Sequence, residues 1–162
     1  MQESSNKIIQ QGEIVSFDTD MVGPYGYCAD ISRTFVCGND FNNNQKELYS
    51  MSLEQINHNS NLIKADMSFK EFTEKSWKLP EEYYGNRYSV MVHGIGLCDE
   101  WPSIRYPTDG GDKSGRFLKN MTITVESYIG KVGGKEGVKL EQQYLVGENG
   151  LELMSHHPLE NI

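Results

Sequence analysis

Residues 13–20 alternate with period two, which predicts a strand carrying Val15 and Phe17 on one face and Ser16, Asp18 and Asp20 on the other. The turn signal Gly23-Pro24-Tyr25-Gly26 follows, and residues 27–36, rich in β-branched and aromatic side chains, predict the returning strand. A hairpin over 13–36 then brings Asp30 across from Asp18 and Asp20.

Apolar positions change to helical spacing over residues 44–65, where Leu48, Met51, Ile56 and Ile63 recur with no Gly or Pro between them. Ser68 with Glu71 matches a capping box and predicts a second helix, anchored by Phe69, Phe72 and Leu79 and ending at Pro80. Both helices are expected to cover one side of a sheet. Residues 87–92 predict a short strand running into His93-Gly94-Ile95-Gly96-Leu97, and then Pro102, Pro107, Gly110, Gly111 and Gly115 mark a long irregular loop of the kind that is often functional. Strands are predicted at 121–129, with Met121, Ile123 and Val125 opposite Thr122, Thr124, Glu126 and Tyr128, at 137–146, which carries Glu141, and at 151–154. No repeat or internal domain boundary interrupts this α+β pattern.

Composition narrows the classes. The chain has 162 residues and a formal charge of −8, so a polyanionic partner is repelled over most of the surface and a nucleic-acid role is not expected. No apolar run approaches the ~20 residues that cross a bilayer, and the opening segment lacks the apolar stretch of a secretory signal. Cys28, Cys37 and Cys98 form neither a CxxC pair nor an even framework. Reduced thiols, a cytoplasmic location and no membrane partner are the expectation.

Asp18, Asp20, Asp30, Glu126 and Glu141 all lie in predicted strands, where an unpaired inward carboxylate is costly to desolvate. Any one of them is explained by the solvent face of an antiparallel sheet with a lysine partner. Five together call for a cation, and Arg33 and Lys139, the nearest bases in sequence, are too few to offset them. A divalent metal answers this, since oxygen-rich sites with one imidazole suit Fe, Mn, Co or Zn. His93 is the natural nitrogen ligand, at a strand end beside glycines that let the backbone pass close. So many ligands exceed the needs of one ion, whereas two ions bridged by Asp30 and Glu141 would use them all.

The strings Phe17-Asp18-Thr19-Asp20 with Asp30-Ile31-Ser32-Arg33-Thr34-Phe35, His93-Gly94-Ile95-Gly96-Leu97, Thr124-Val125-Glu126-Ser127 and Lys139-Leu140-Glu141 resemble the catalytic domain of the pita-bread metallopeptidases. That group includes aminopeptidase P, prolidase and methionine aminopeptidase, and the likeness runs from about Gly12 to Leu153 in the family's order. It implies a curved antiparallel sheet covered by helices, with Asp20, Asp30, His93, Glu126 and Glu141 at the five dinuclear-metal ligand positions. Residues 1–162 would be a partial catalytic domain lacking N-terminal sheet and helices, with the activity of the isolated fragment left open, and a homodimer when full length.

Two departures from the peptidases matter. Where the proline-specific enzymes carry histidines that bind the scissile peptide, four residues before the metal histidine and seven after it, this chain has Ser89 and Glu100. The Asp20 to Asp30 interval is also one residue short, and Asp18 adds an acid. At these positions the chain is similar to the iron-containing dimethylsulfoniopropionate lyases of the same fold, which implies Asp18 as a sixth metal ligand, Asp99 as catalytic base and Tyr88 as active-site tyrosine. Two divalent transition-metal ions are then expected, iron first, with Mn, Zn or Co as alternatives. Metal coordination of the substrate carboxylate would acidify the adjacent C–H, which Asp99 would remove, and an aromatic face suits the sulfonium, nominating Tyr88 and Trp101. A small-molecule substrate follows. An Xaa-Pro peptidase and a non-catalytic pita-bread binding module are the alternatives.

Overall fold

The computed structural model describes residues 5–38, 40–111 and 113–159. The other positions of the expected 1–162 span lie outside them. Among the described residues the chain runs β1 (Ile14–Asp18), β2 (Met21–Val22), β3 (Cys28–Ala29), β4 (Ser32–Val36), α1 (Asn43–Leu62), α2 (Phe69–Lys75), α3 (Glu81–Tyr84), β5 (Val90–Gly94), β6 (Ser103–Arg105), β7 (Thr122–Gly130), β8 (Gly137–Val146) and β9 (Leu151–Leu153). No helix among the described residues is long and apolar enough to cross a membrane.

The principal sheet is antiparallel, in the order β6-β5-β7-β8-β9. Its two faces follow from register. Val92 pairs with Val125, and Ile123, Ile129, Val138 and Leu140 are buried, giving an apolar side that α1 covers through Tyr49 and Ile56. Opposite side chains put His93 beside Thr124 and Glu126 directly across from Glu141. One face is thus core and the other is polar, yet both are buried.

The inner face of α1 is less apolar than helical spacing alone suggests. Ser52 Oγ donates to Ser127 Oγ at 2.9 Å, Ser127 Oγ donates to Gln55 Oε1 at 2.7 Å, and Gln55 Nε2 donates to Tyr106 OH at 2.5 Å. These bonds satisfy polar groups that would otherwise be costly to bury between helix and sheet. The helix starts earlier than the apolar pattern indicates because Asn42 and Gln45 form a reciprocal capping box. At α2 only half the expected box forms: Ser68 Oγ accepts from Glu71 N, whereas the Glu71 carboxylate pairs with Lys75 at 2.7 Å.

Three expectations need correction. The second helix ends at Lys75, where Ser76 Oγ bonds back to Thr73 O, and Pro80 instead leads into α3. The long loop contains an edge strand, β6, paired with β5 across a bulge, so it is partly ordered by the sheet. The predicted hairpin is present, with Ile14–Asp18 paired to Ser32–Val36, but it is interrupted at residues 19–20 and 30–31 before β2 and β3 pair. That gap places Asp20 and Asp30 outside the ladder. Phe17 on β1 is 60% exposed, so its face of the hairpin is not core.

The hairpin docks along the part of β8 that β9 leaves uncovered. Thr34 Oγ1 donates to Lys139 O at 2.7 Å and accepts from Lys139 N at 3.0 Å. The buried Arg33 guanidinium donates to Glu141 O and Gln142 Oε1, both at 2.6 Å, and to His157 O at 2.5 Å. This clamp ties β4 to β8 three residues from Asp30.

Candidate metal centre

Four segments deliver buried ionisable side chains to one point. Asp30 comes from the gap in the hairpin, His93 from β5, Glu126 from β7 and Glu141 from β8. His93 Nε2 lies 3.6 Å from Asp30 Oδ2, 3.2 Å from Glu126 Oε1 and 3.4 Å from Glu141 Oε1. None of these contacts has hydrogen-bond geometry for Nε2 or for either glutamate oxygen. Among the described residues Asp30 Oδ1, His93 Nε2, Glu126 Oε1 and Glu141 Oε1 are all buried without a partner. Orphaned buried polar atoms are rare and costly, and four around one centre call for a ligand.

The chemistry of the donors fits a cation. Imidazole Nδ1 lies 3.0 Å from Gly94 O, so a proton on Nδ1 bonds there and leaves the Nε2 lone pair facing the carboxylates. Asp30, His93 and Glu141 each offer one donor atom within 4.8 Å of the others, and so do Asp20, Asp30 and Asp99. Asp30 is common to both groups. Oxygen donors with a single imidazole suit first-row divalent metals.

Electrostatics without a cation show the same need. Burial pushes the Asp30 carboxyl up to about 8 and raises Glu126 as well. Burial works against the charged Glu141 too, but Lys139 and His93 outweigh it and hold that group down to about 2. Burial also opposes protonation of His93, and the three surrounding carboxylates override it, keeping the ring well above the usual histidine range.

The remaining expected residues are distributed unevenly. Asp20 is exposed but converges with Asp30 and Asp99. Half-buried Asp18 sits at the edge, where its Oδ1 and Glu141 Oε2 share the Ser32 hydroxyl, and burial raises its pKa. Asp99 Oδ1 stands 3.9 Å from His93 Nδ1 and accepts from Glu100 N at 3.0 Å, with its pKa raised by partial burial. Its segment is pinned by Ile95 N to Thr122 O at 3.1 Å and Cys28 N to Gly96 O at 2.7 Å. Gly94 is required here, because a Cβ would collide with the Trp101 carbonyl oxygen.

Tyr88 reaches the centre with one ring face already occupied: Lys139 Nζ lies 4.8 Å from the ring centroid, and the phenol donates to Glu100 Oε1 at 3.0 Å. Trp101 is 63% exposed, with its carbonyl against Gly94. Cys28, Cys37 and Cys98 are unbridged.

Lys139 is the residue that the sequence pattern underrated. It is buried, with Nζ touching Glu126 Oε2 and lying 3.4 Å from Glu141 Oε2. Its pKa stays above the ordinary lysine value because Glu126 and Glu141 overcome the opposing effect of burial. Period two already put Lys139 and Gln143 on the Glu141 face of β8, and Gln143 Oε1 in fact receives Asp30 N at 3.4 Å. Lys139 offsets one of the three buried carboxylates.

The sheet, its helices and this acid–imidazole cluster define a pita-bread domain with a candidate metal centre. The model of the metallopeptidase family M24 matches residues 1–148, and the chain belongs to that family. It is 38% identical to the dimethylsulfoniopropionate lyase DddP of Roseovarius nubinhibens, over 98% of this chain and 36% of that protein. The Xaa-Pro dipeptidase of Pyrococcus furiosus is 33% identical over 94% of this chain and 42% of its own length. Among solved structures, the prolidase of Pyrococcus horikoshii OT3 superposes with a TM-score of 0.82 at 28% identity, over 98% of this chain and 44% of that one. The chain spans less than half the length of each of these relatives.

Proposed function

We propose that this chain carries the metal centre of a lyase that cleaves dimethylsulfoniopropionate to dimethyl sulfide and acrylate. Asp18, Asp20, Asp30, His93, Glu126 and Glu141 are assigned to hold two divalent transition-metal ions, iron foremost. Asp99 is assigned as base, with Tyr88 and Trp101 beside the substrate. The observation that carries this reading is the set of four buried ligand atoms without partners, with the Asp99 carboxylate beside it at 3.9 Å from His93 Nδ1. Similarity to the lyase of Roseovarius nubinhibens supports the substrate.

When bound, the ions would supply Lewis acidity toward the substrate carboxylate. Asp99 takes the proton from the carbon beside that carboxylate, the freed pair forms the C=C bond, and the C–S pair leaves with dimethyl sulfide. Partial burial raises the basicity of Asp99, which suits it to this role. Tyr88 and Trp101 are the aromatic groups assigned to meet the sulfonium through the negative quadrupole of a ring face. Acidic residues around the centre favour a cationic substrate group over an anionic one.

A peptidase is the second reading, supported by the dipeptidase and prolidase relatives. Ser89 and Glu100 weigh against it, because neither supplies an imidazole donor to a tetrahedral intermediate. Headspace gas chromatography of the complete gene product fed dimethylsulfoniopropionate separates the two: dimethyl sulfide supports the lyase, while proline released from Xaa-Pro dipeptides in its place supports the peptidase.

A further inference from the structure

We infer that Lys139 is a positioning residue of this centre, fixing which oxygen of Glu126 and of Glu141 faces the metal position and contacting the ring of Tyr88. The inference rests on the metal-centre reading above. Its origin is the register of β7 and β8. Glu126 pairs with Glu141 and Tyr128 with Lys139, so the lysine is two residues from one glutamate on the same face and diagonal to the other.

The contacts sort the oxygens cleanly. Lys139 is 1% exposed, and its Nζ meets the Oε2 atom of each glutamate, joined at Glu141 Oε2 by the Ser32 hydroxyl at 3.0 Å. The Oε1 atoms are the ones left without partners, 3.2 and 3.4 Å from His93 Nε2. A carboxylate free to turn can offer either oxygen or both, whereas an ammonium with three donors ties down one on each side. Such support of a ligand's orientation is how groups one step removed from a metal tune its binding.

The same ammonium reaches the segment that carries the proposed base. It lies 4.8 Å from the centroid of Tyr88, within cation–π range. Tyr88 donates to Glu100 Oε1 at 3.0 Å, and Glu100 N donates to Asp99 Oδ1 at 3.0 Å. Lys139 therefore joins the glutamate pair to the Asp99 segment through contacts that are continuous in the structure. Arginine keeps the charge and the donors; methionine keeps the bulk and neither of these.

The test compares wild type, Lys139→Arg and Lys139→Met in the complete gene product, titrated with Zn2+ against a competing chelating dye. The expected result is that Lys139→Met binds Zn2+ about tenfold more weakly or worse, while Lys139→Arg recovers most of the affinity. Equal or tighter binding by Lys139→Met overturns the inference. If wild type itself takes up no Zn2+, the metal-centre reading fails and this inference falls with it. Should Lys139→Met not fold by circular dichroism, wild type labelled with nitrogen-15 lysine decides. One exchange-protected ammonium signal, missing from Lys139→Arg and retained when Zn2+ is bound, is expected; its absence from the loaded protein overturns the assignment.

Discussion

Glu126 and Glu141 stand directly opposite each other on β7 and β8, each with one oxygen at Lys139 and the other facing His93. A paired register in an antiparallel sheet, not a local motif, makes the centre. Two ionised carboxylates in such a place are tolerated only with cations on both sides.

Ligand and base variants should separate. His93→Ala and Glu141→Ala are expected to lose metal from the isolated protein, by more than the roughly 10–100-fold that follows loss of a group merely supporting a ligand. Asp99→Ala should keep metal near the wild-type level and lose elimination activity by roughly two to four orders of magnitude. Metal analysis on the same samples used for activity checks this split.

Metal uptake should release protons. Burial sets the Asp30 carboxyl at about 8 in the metal-free protein, so an ion must displace its proton, and affinity should rise as pH climbs toward that value. Calorimetry in buffers of different ionisation enthalpy counts the protons. The sign for stability is opposite in the metal-free protein. The folded pKa exceeds the unfolded one, so the contribution of Asp30 is fully present below the ordinary aspartate range and is lost as pH rises through about 8.

Gly94→Ala should disturb the site without touching a donor atom. The added Cβ meets the Trp101 carbonyl, whose segment carries Asp99, and overpacking of this kind costs about 1–3 kcal/mol. Denaturant unfolding gives the cost, and activity should fall further than metal content.

Phe117→Ala tests the helix-to-loop packing around Phe69 and Phe72. Phe117 is fully buried, edge-on to Phe69 at 4.9 Å and to Phe72 at 5.7 Å. Its truncation should cost about 3–5 kcal/mol in urea unfolding, with metal affinity unchanged wherever the protein stays folded.

Much of this was legible in the chain because strand alternation reports faces. Glu126 with Thr124, and Glu141 with Lys139, announce one polar face by period two alone. What alternation could not supply was the gap in the hairpin: residues 13–20 scan as an unbroken strand, yet the ladder stops at Asp18, and Asp20 leaves it. Edge strand β6 was hidden because Ser103–Arg105 is too short to show a period and lies among Pro and Gly. In sequence Pro80 is the strong stop signal for α2, whereas the helix ends earlier, with a Ser76 bond to Thr73 O. Lys139 was visible but undervalued, because the count of charges in sequence does not say which lysine the register will bury.

Dimethyl sulfide formed from dimethylsulfoniopropionate by the metal-loaded complete gene product is the most direct test of the central claim. Dimethyl sulfide and acrylate in equal amounts, lost on chelation and in Asp99→Ala, are predicted. A metal-loaded protein that releases neither product, or an Asp99→Ala variant as active as wild type, would contradict it.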